Sequence, residues 1–153
     1  MAYEIFLEDV AARPVAAVHS SGPVGHVAAA WRPALDKVWA FLRRHDGLRT
    51  DGRNIFIYRH PVRPGVPMEV DFGVEVSGPF AGEDEVLLTH TPAGRVASTV
   101  HIGPYDQLAG ANAAIEEWCV ANHRSLAGVS WEIYGDPGDD PATLDVQVFY
   151  LLG

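Results

Sequence analysis

The chain reads nearly the same passage twice, so a fold built from it must set two similar units against each other. Arg13-Pro-Val-Ala-Ala-Val-His-Ser-Ser-Gly-Pro23 returns as Arg95-Val-Ala-Ser-Thr-Val-His-Ile-Gly-Pro104. Ile55-Phe-Ile-Tyr-Arg-His-Pro61 returns as Trp131-Glu-Ile-Tyr-Gly-Asp-Pro137. One constant offset carries Ile55–Pro61 onto Trp131–Pro137 and Met68–Val74 onto Leu144–Tyr150, and the order of elements matches, which argues against chance. Within the second pair, Phe56 of one copy is replaced by Glu132 of the other. A duplicated apolar scaffold with one carboxylate at a corresponding position points to a small-molecule pocket.

Each copy is expected to run strand, strand, helix, strand, strand within a single domain, with repeat one at about 1–78 and repeat two at about 83–153. Tyr3–Leu7 and Arg13–His19, turned at Asp9–Ala12, match Glu85–His90 and Arg95–Ile102, turned at Pro92–Gly94. Both second strands end in Gly-Pro, and proline suits a helix start because the first turn leaves its N–H groups without partners. Leu108, Ala111, Ile115, Trp118 and Cys119 then form one apolar stripe at helical spacing. Val27, Trp31, Leu35, Val38, Trp39 and Leu42 form the other. Pro33 should kink that helix or mark where its regular part begins, and Gly47 can cap it. Asn54–Arg59 with Glu69–Val76, and Trp131–Gly135 with Thr143–Leu151, supply the remaining strands.

Alternation within strands gives two expected faces. Ile55 and Ile57, Trp131 and Ile133, with Val70, Phe72, Val74, Val146, Val148 and Tyr150, are expected to pack on the helices. Phe56, Tyr58, Glu132, Tyr134, Gln147 and Phe149 are expected on the opposite face, together with Asp71 and Gly73. The same reasoning places Trp31, Trp39 and Trp118 in the core, and treats His19 and His101 as equivalent residues that are structural or hydrogen-bond near the helix starts.

Composition removes several classes of function. Eleven Lys+Arg against 20 Asp+Glu give a formal net charge of -9 over 153 residues, so direct nucleic-acid binding is not expected. No membrane span is expected, and Met1-Ala-Tyr-Glu-Ile-Phe-Leu-Glu-Asp9 is acidic and lacks the basic stretch of a signal peptide, so none is expected. One cysteine, Cys119, excludes an internal disulfide and suits a reducing compartment, so the chain is expected to be cytoplasmic. The histidines lack metal-ligand spacing, and Asp136-Pro-Gly-Asp-Asp140 lacks calcium-loop spacing. No metal or cofactor is expected.

Val100-His-Ile-Gly-Pro-Tyr105 leading into a helix, followed by Trp131-Glu-Ile-Tyr-Gly-Asp-Pro137 and a closing Val-Gln-Val strand, resembles the GyrI-like family. That family is also called the AraC-type, or bacterial transcription activator, effector-binding domain. The resemblance implies an α+β fold of duplicated β-α-β-β (SHS2-type) repeats, with one curved antiparallel sheet and two helices on one face. It also implies a cleft between the halves for lipophilic, often cationic aromatic compounds. The family's acidic contact corresponds to Glu132, and its aromatic wall to Trp131 or Tyr134. The face argument adds Phe56, Tyr58 and Phe149. The sequence carries no helix-turn-helix segment, so a transcription factor is not expected.

Three functions stay open at this point. One is a stand-alone binder of drugs or toxins with Glu132 as the acidic contact. The second is a hydrolase of cyclopropane-bearing alkylating natural products, with Glu132 as general base and Tyr134 as proton donor. The third is a module that restrains a protein partner such as gyrase.

Overall fold

The computed structural model describes residues 3–135 and 141–153. The Asp136–Asp140 turn considered for calcium lies outside them. Eight strands form one antiparallel sheet: β1 (Phe6–Val10), β2 (Pro14–Gly22), β3 (Arg49–Arg59), β4 (Met68–Val76), β5 (Val86–His90), β6 (Gly94–Ile102), β7 (Leu126–Tyr134) and β8 (Asp145–Leu152). Helix α1 (Trp31–Arg43) separates β2 from β3, and α2 (Ala109–Ala121) separates β6 from β7. Helix α1 lies over β2 and β4, and α2 over β6 and β8, so both cover one face.

The strand order β1-β6-β8-β7-β3-β4-β2-β5 reads alike from either end once the copies are exchanged. Strands β1 and β2 do not pair with each other. Instead β1 pairs with β6, and β5 with β2, so each copy lends its first strand to the other. The pseudo-twofold axis falls between β3 and β7. There Phe56 pairs directly with Glu132, flanked by Ile55 with Ile133 and Ile57 with Trp131. The residue that breaks the repeat therefore faces its own counterpart across the axis.

Local chemistry explains the helices. Pro33 falls in the first turn of α1, where its missing N–H costs no intrahelical bond. Ala34, Leu35, Val38, Phe41 and Leu42 form the buried stripe of α1, and Ala111, Ile115 and Cys119 that of α2. Helix α1 ends at Arg43 with Arg44 as its C-cap, so Gly47, in a following single turn, does not cap it. Burial also pushes the Cys119 thiol up, which leaves it an apolar packing group.

The expected faces are wrong in one respect. Phe56, Tyr58 and Tyr134 share the helix-covered side with Val70, Phe72, Val74, Val146, Val148 and Tyr150. Ile55, Ile57, Trp131 and Ile133 lie on the other side, with Phe149. Pairing decides this: Phe56 sits opposite Phe72, Glu132 opposite Val148, and Trp131 opposite Phe149. The side without helices is nevertheless buried. Val15 and Val96, from strands far apart in the sheet order, meet the central residues in one cluster because the sheet curls upon itself. On β4, opposite Ala17 of β2, a Cβ on Gly73 would lie 2.5 Å from the carbonyl oxygen of Ala16, so the backbones leave no room for a side chain there.

The histidine equivalence also fails. Val15 pairs with Glu75 as Val96 pairs with Leu151, which makes Ser20, not His19, the counterpart of His101. His101 is buried. Its Nε2 donates to the Pro104 carbonyl (2.9 Å), so Nδ1 accepts from the Tyr3 hydroxyl (2.8 Å) and the ring ties the start of the second helical segment to the sheet. His19 lies on the other face, where Nδ1 meets the buried Asp71 at 2.8 Å and Nε2 meets Glu69 at 2.7 Å. Asp71 also accepts from Arg59 at 2.7 Å. The Asp71 hydrogen bond raises the His19 pKa, more than burial lowers it. Stability from this pair is complete below the ordinary histidine value and is lost as pH rises through the raised one. An NMR titration is expected to find His19 above the ordinary histidine range, and Asp71→Asn should move it downward. A His19 titration indifferent to Asp71→Asn would refute the pairing.

Candidate functional site

The central strands place one carboxylate beneath a cleft. Tyr58 and Tyr134 are counterparts in the repeat, and both donate to the same oxygen, Oε1 of Glu132, at 3.0 and 2.7 Å. Glu132 is only 6% exposed. Burial raises its pKa above the ordinary carboxylate range, while hydrogen bonds from Tyr134, Tyr58 and Asn112 pull it back. Burial, reinforced by the charge of Glu132, drives both phenols upward, so they stay protonated as donors.

Above this floor, in the gap between the helices, lies a cleft of about 700 Å³. Phe56, Tyr58 and Tyr134 line its base, Trp31 and Trp39 its α1 wall, and Tyr105 and Leu108, in the turn that leads into α2, the facing wall. Arg53, Asn54 and Gly135 border it at the start of β3 and the end of β7. The rings support one another edge to face. Phe56 meets Phe72 at 4.9 Å and 88°, and Tyr105 meets Tyr134 at 5.5 Å and 83°. Such a site offers apolar area and aromatic faces that attract cations by about 0.5–2 kcal/mol each, set over a carboxylate whose solvation has been stripped and which touches the cleft through Tyr58 and Tyr134.

The sequence-derived site residues divide between two places. Phe56, Tyr58 and Tyr134 line the cleft, and Glu132 lies behind them, joined to it through the two tyrosine hydroxyls rather than by lining it. Trp131 and Phe149 lie elsewhere: they stack on each other at 5.4 Å and 11° on the opposite face. There, with Ile133, Gln147, Glu8 and Arg13, they line a separate cavity of about 420 Å³. Trp31 and Trp39 were expected in the core but border the cleft, and Trp31 is 38% exposed. They flank the buried stripe of α1, and helical spacing cannot tell a core-facing flank from a cleft-facing one. Asn54 and Asn112 carry no sequence signal beyond their proximity to the motifs, and Tyr105 ends the Val100–Tyr105 motif without marking itself there as a cleft residue. Among the described residues, no cluster of His, Cys, Asp and Glu could hold a metal ion, and no helix is long and apolar enough to cross a membrane.

A curled eight-stranded sheet with an aromatic cleft over a buried glutamate defines a small-molecule-binding α+β domain. The chain belongs to the GyrI-like small-molecule-binding domain family, whose model matches residues 3–150. Among solved structures it is similar to the C-terminal domain of EcmrR, with a TM-score of 0.80 and 21% identity, over 100% of this chain and 99% of that one. It is also similar to SAV2435 bound to tetraphenylphosphonium, with a TM-score of 0.72 and 8% identity, over 98% and 94% of the two chains. A hydrolase from Listeria innocua matches with a TM-score of 0.62 and 13% identity, over 98% and 92%. At these identities the likeness is one of fold. No curated protein matches the chain.

Proposed function

We propose that the protein binds lipophilic, cationic aromatic compounds in the cleft between its two halves, with Glu132 as the acidic contact. Phe56, Tyr58 and Tyr134 form the floor, and Trp31, Trp39 and Tyr105 the walls. The observation that carries this reading is the desolvated carboxylate on the pseudo-twofold axis, held by two equivalent tyrosines beneath an aromatic cleft. A buried charge of this kind is costly unless something compensates it, and a bound cation compensates it. The fold-level likeness to a protein solved with tetraphenylphosphonium supports the choice of ligand class.

Tetraphenylphosphonium is also a clean probe, because its charge does not titrate. It is expected to raise the melting temperature at neutral pH. A panel of such cations without any shift would remove the reading. Its affinity is expected to fall as the medium is acidified through the raised Glu132 pKa, because the protonated acid no longer attracts a cation. Calorimetric titrations over that range would check this, and a pH-independent affinity would show that Glu132 is not the contact. Mass spectrometry of the same incubations separates binding from turnover: an unaltered ligand supports a binder, and a water adduct of a cyclopropane-bearing alkylator a hydrolase.

A further inference from the structure

A buried hydrogen-bonding atom without a partner has lost its water and gained nothing in return. Among the described residues one side-chain atom stands in that position, the amide oxygen of Asn54. Asn54 borders the cleft, on the same side of β3 as Phe56 and Tyr58. It sits where the pairing of β3 with β4 shifts register, between Arg49 and Asn54. Bulges of this kind re-aim side chains beside binding sites. Strand β7 has the corresponding irregularity between Leu126 and Ser130. There the counterpart residue, Ser130, is bonded at 2.7 Å to Nε2 of His60. The repeat satisfies this position in one copy and leaves it open in the other.

The rest of the floor has the same polarity. Tyr58 and Tyr134 each direct their only O–H hydrogen at Glu132, so towards a ligand they present oxygen lone pairs alone. Two phenol oxygens, one carboxylate and one unpartnered amide oxygen make a floor rich in acceptors. The oxygen itself is buried, and the broad terminal torsion of an asparagine is the freedom by which it would turn to a ligand in the cleft that the residue borders.

We propose that the cleft selects cations that carry N–H hydrogens, protonated amines or amidines on an aromatic body, over cations of similar size that carry none. Asn54 is the specificity-determining residue, accepting a hydrogen bond from the ligand N–H. This rests on the reading of the cleft as a cation site. Desolvation fixes the sign of the comparison. A primary ammonium is more strongly hydrated than its trimethylated form, so an aromatic cleft without acceptors favours the methylated cation. A preference for the primary ammonium requires acceptors that replace the lost water.

The test titrates (1-naphthylmethyl)ammonium and its N,N,N-trimethyl counterpart into native protein and Asn54→Leu at neutral pH. Native protein is expected to bind the primary ammonium about tenfold more tightly. Asn54→Leu should remove about tenfold from that affinity and leave the trimethyl cation within about twofold. Equal binding of the two cations by native protein, or tighter binding of the methylated one, overturns the inference without touching the cation site. So does an Asn54→Leu protein that weakens both alike. If neither cation binds, the cation site itself is refuted. The native comparison alone decides the matter should the variant fail to fold.

Discussion

Glu132→Gln is expected to weaken binding of aromatic cations by about 2–4 kcal/mol, roughly 30- to 1000-fold in Kd. The estimate follows from removing one member of a desolvated charge pair while keeping its shape. Glutamine retains an oxygen that accepts from Tyr58 and Tyr134, so the floor keeps its geometry and loses its charge. The empty protein should respond in the opposite direction. Because burial raises the Glu132 pKa in the folded state, its neutral form stabilises the fold at low pH, and that contribution is lost as pH rises through the raised value. At neutral pH the substitution should therefore raise the melting temperature of the empty protein and abolish the further rise caused by tetraphenylphosphonium. A variant that binds the cation as well as native protein would remove Glu132 from the site. A variant less stable than native would show that the carboxylate is structural.

Trp131→Ala is expected to cost about 3–5 kcal/mol of folding stability, as for other fully buried large aromatics. Trp131 is 2% exposed, stacks on Phe149 and packs with Ile55, Ile57 and Ile133 on the face away from the helices. This cluster is where the curled sheet closes, so a void there has no helix that can move in to fill it. Chemical denaturation would measure the loss. The milder Trp131→Phe should bind cations like native protein, since the indole does not border the cleft. Near-native stability in Trp131→Ala combined with lost binding would reverse this assignment and make the indole a ligand wall.

The repeat was legible because strand composition, the two Gly-Pro steps and the helical stripes recur in order. The correspondence of Phe56 with Glu132 follows from the same offset, whereas their direct pairing across the axis appears only in the sheet register. Face assignment was not legible. Alternation tells which residues of one strand share a side, but joining the sides of neighbouring strands needs register, and a one-residue error turns a whole strand over. Alternation alone therefore puts Ile55 and Trp131 beneath the helices and matches His19 with His101, and the register reverses both. The burial of Trp131 and Phe149 depends on sheet curl, which no local pattern encodes. Helical spacing assigns Trp31 and Trp39 to the core because a cleft wall and a core face present the same apolar stripe. The unpartnered oxygen of Asn54 exists only in three dimensions.

The most direct test of the central claim is an experimental structure of the protein with tetraphenylphosphonium bound. The cation is expected between Trp31, Trp39 and Tyr105, its phosphorus over the Tyr58–Glu132–Tyr134 floor. A ligand lodged instead in the cavity beside Trp131 and Phe149, or one held away from Glu132, would contradict the account.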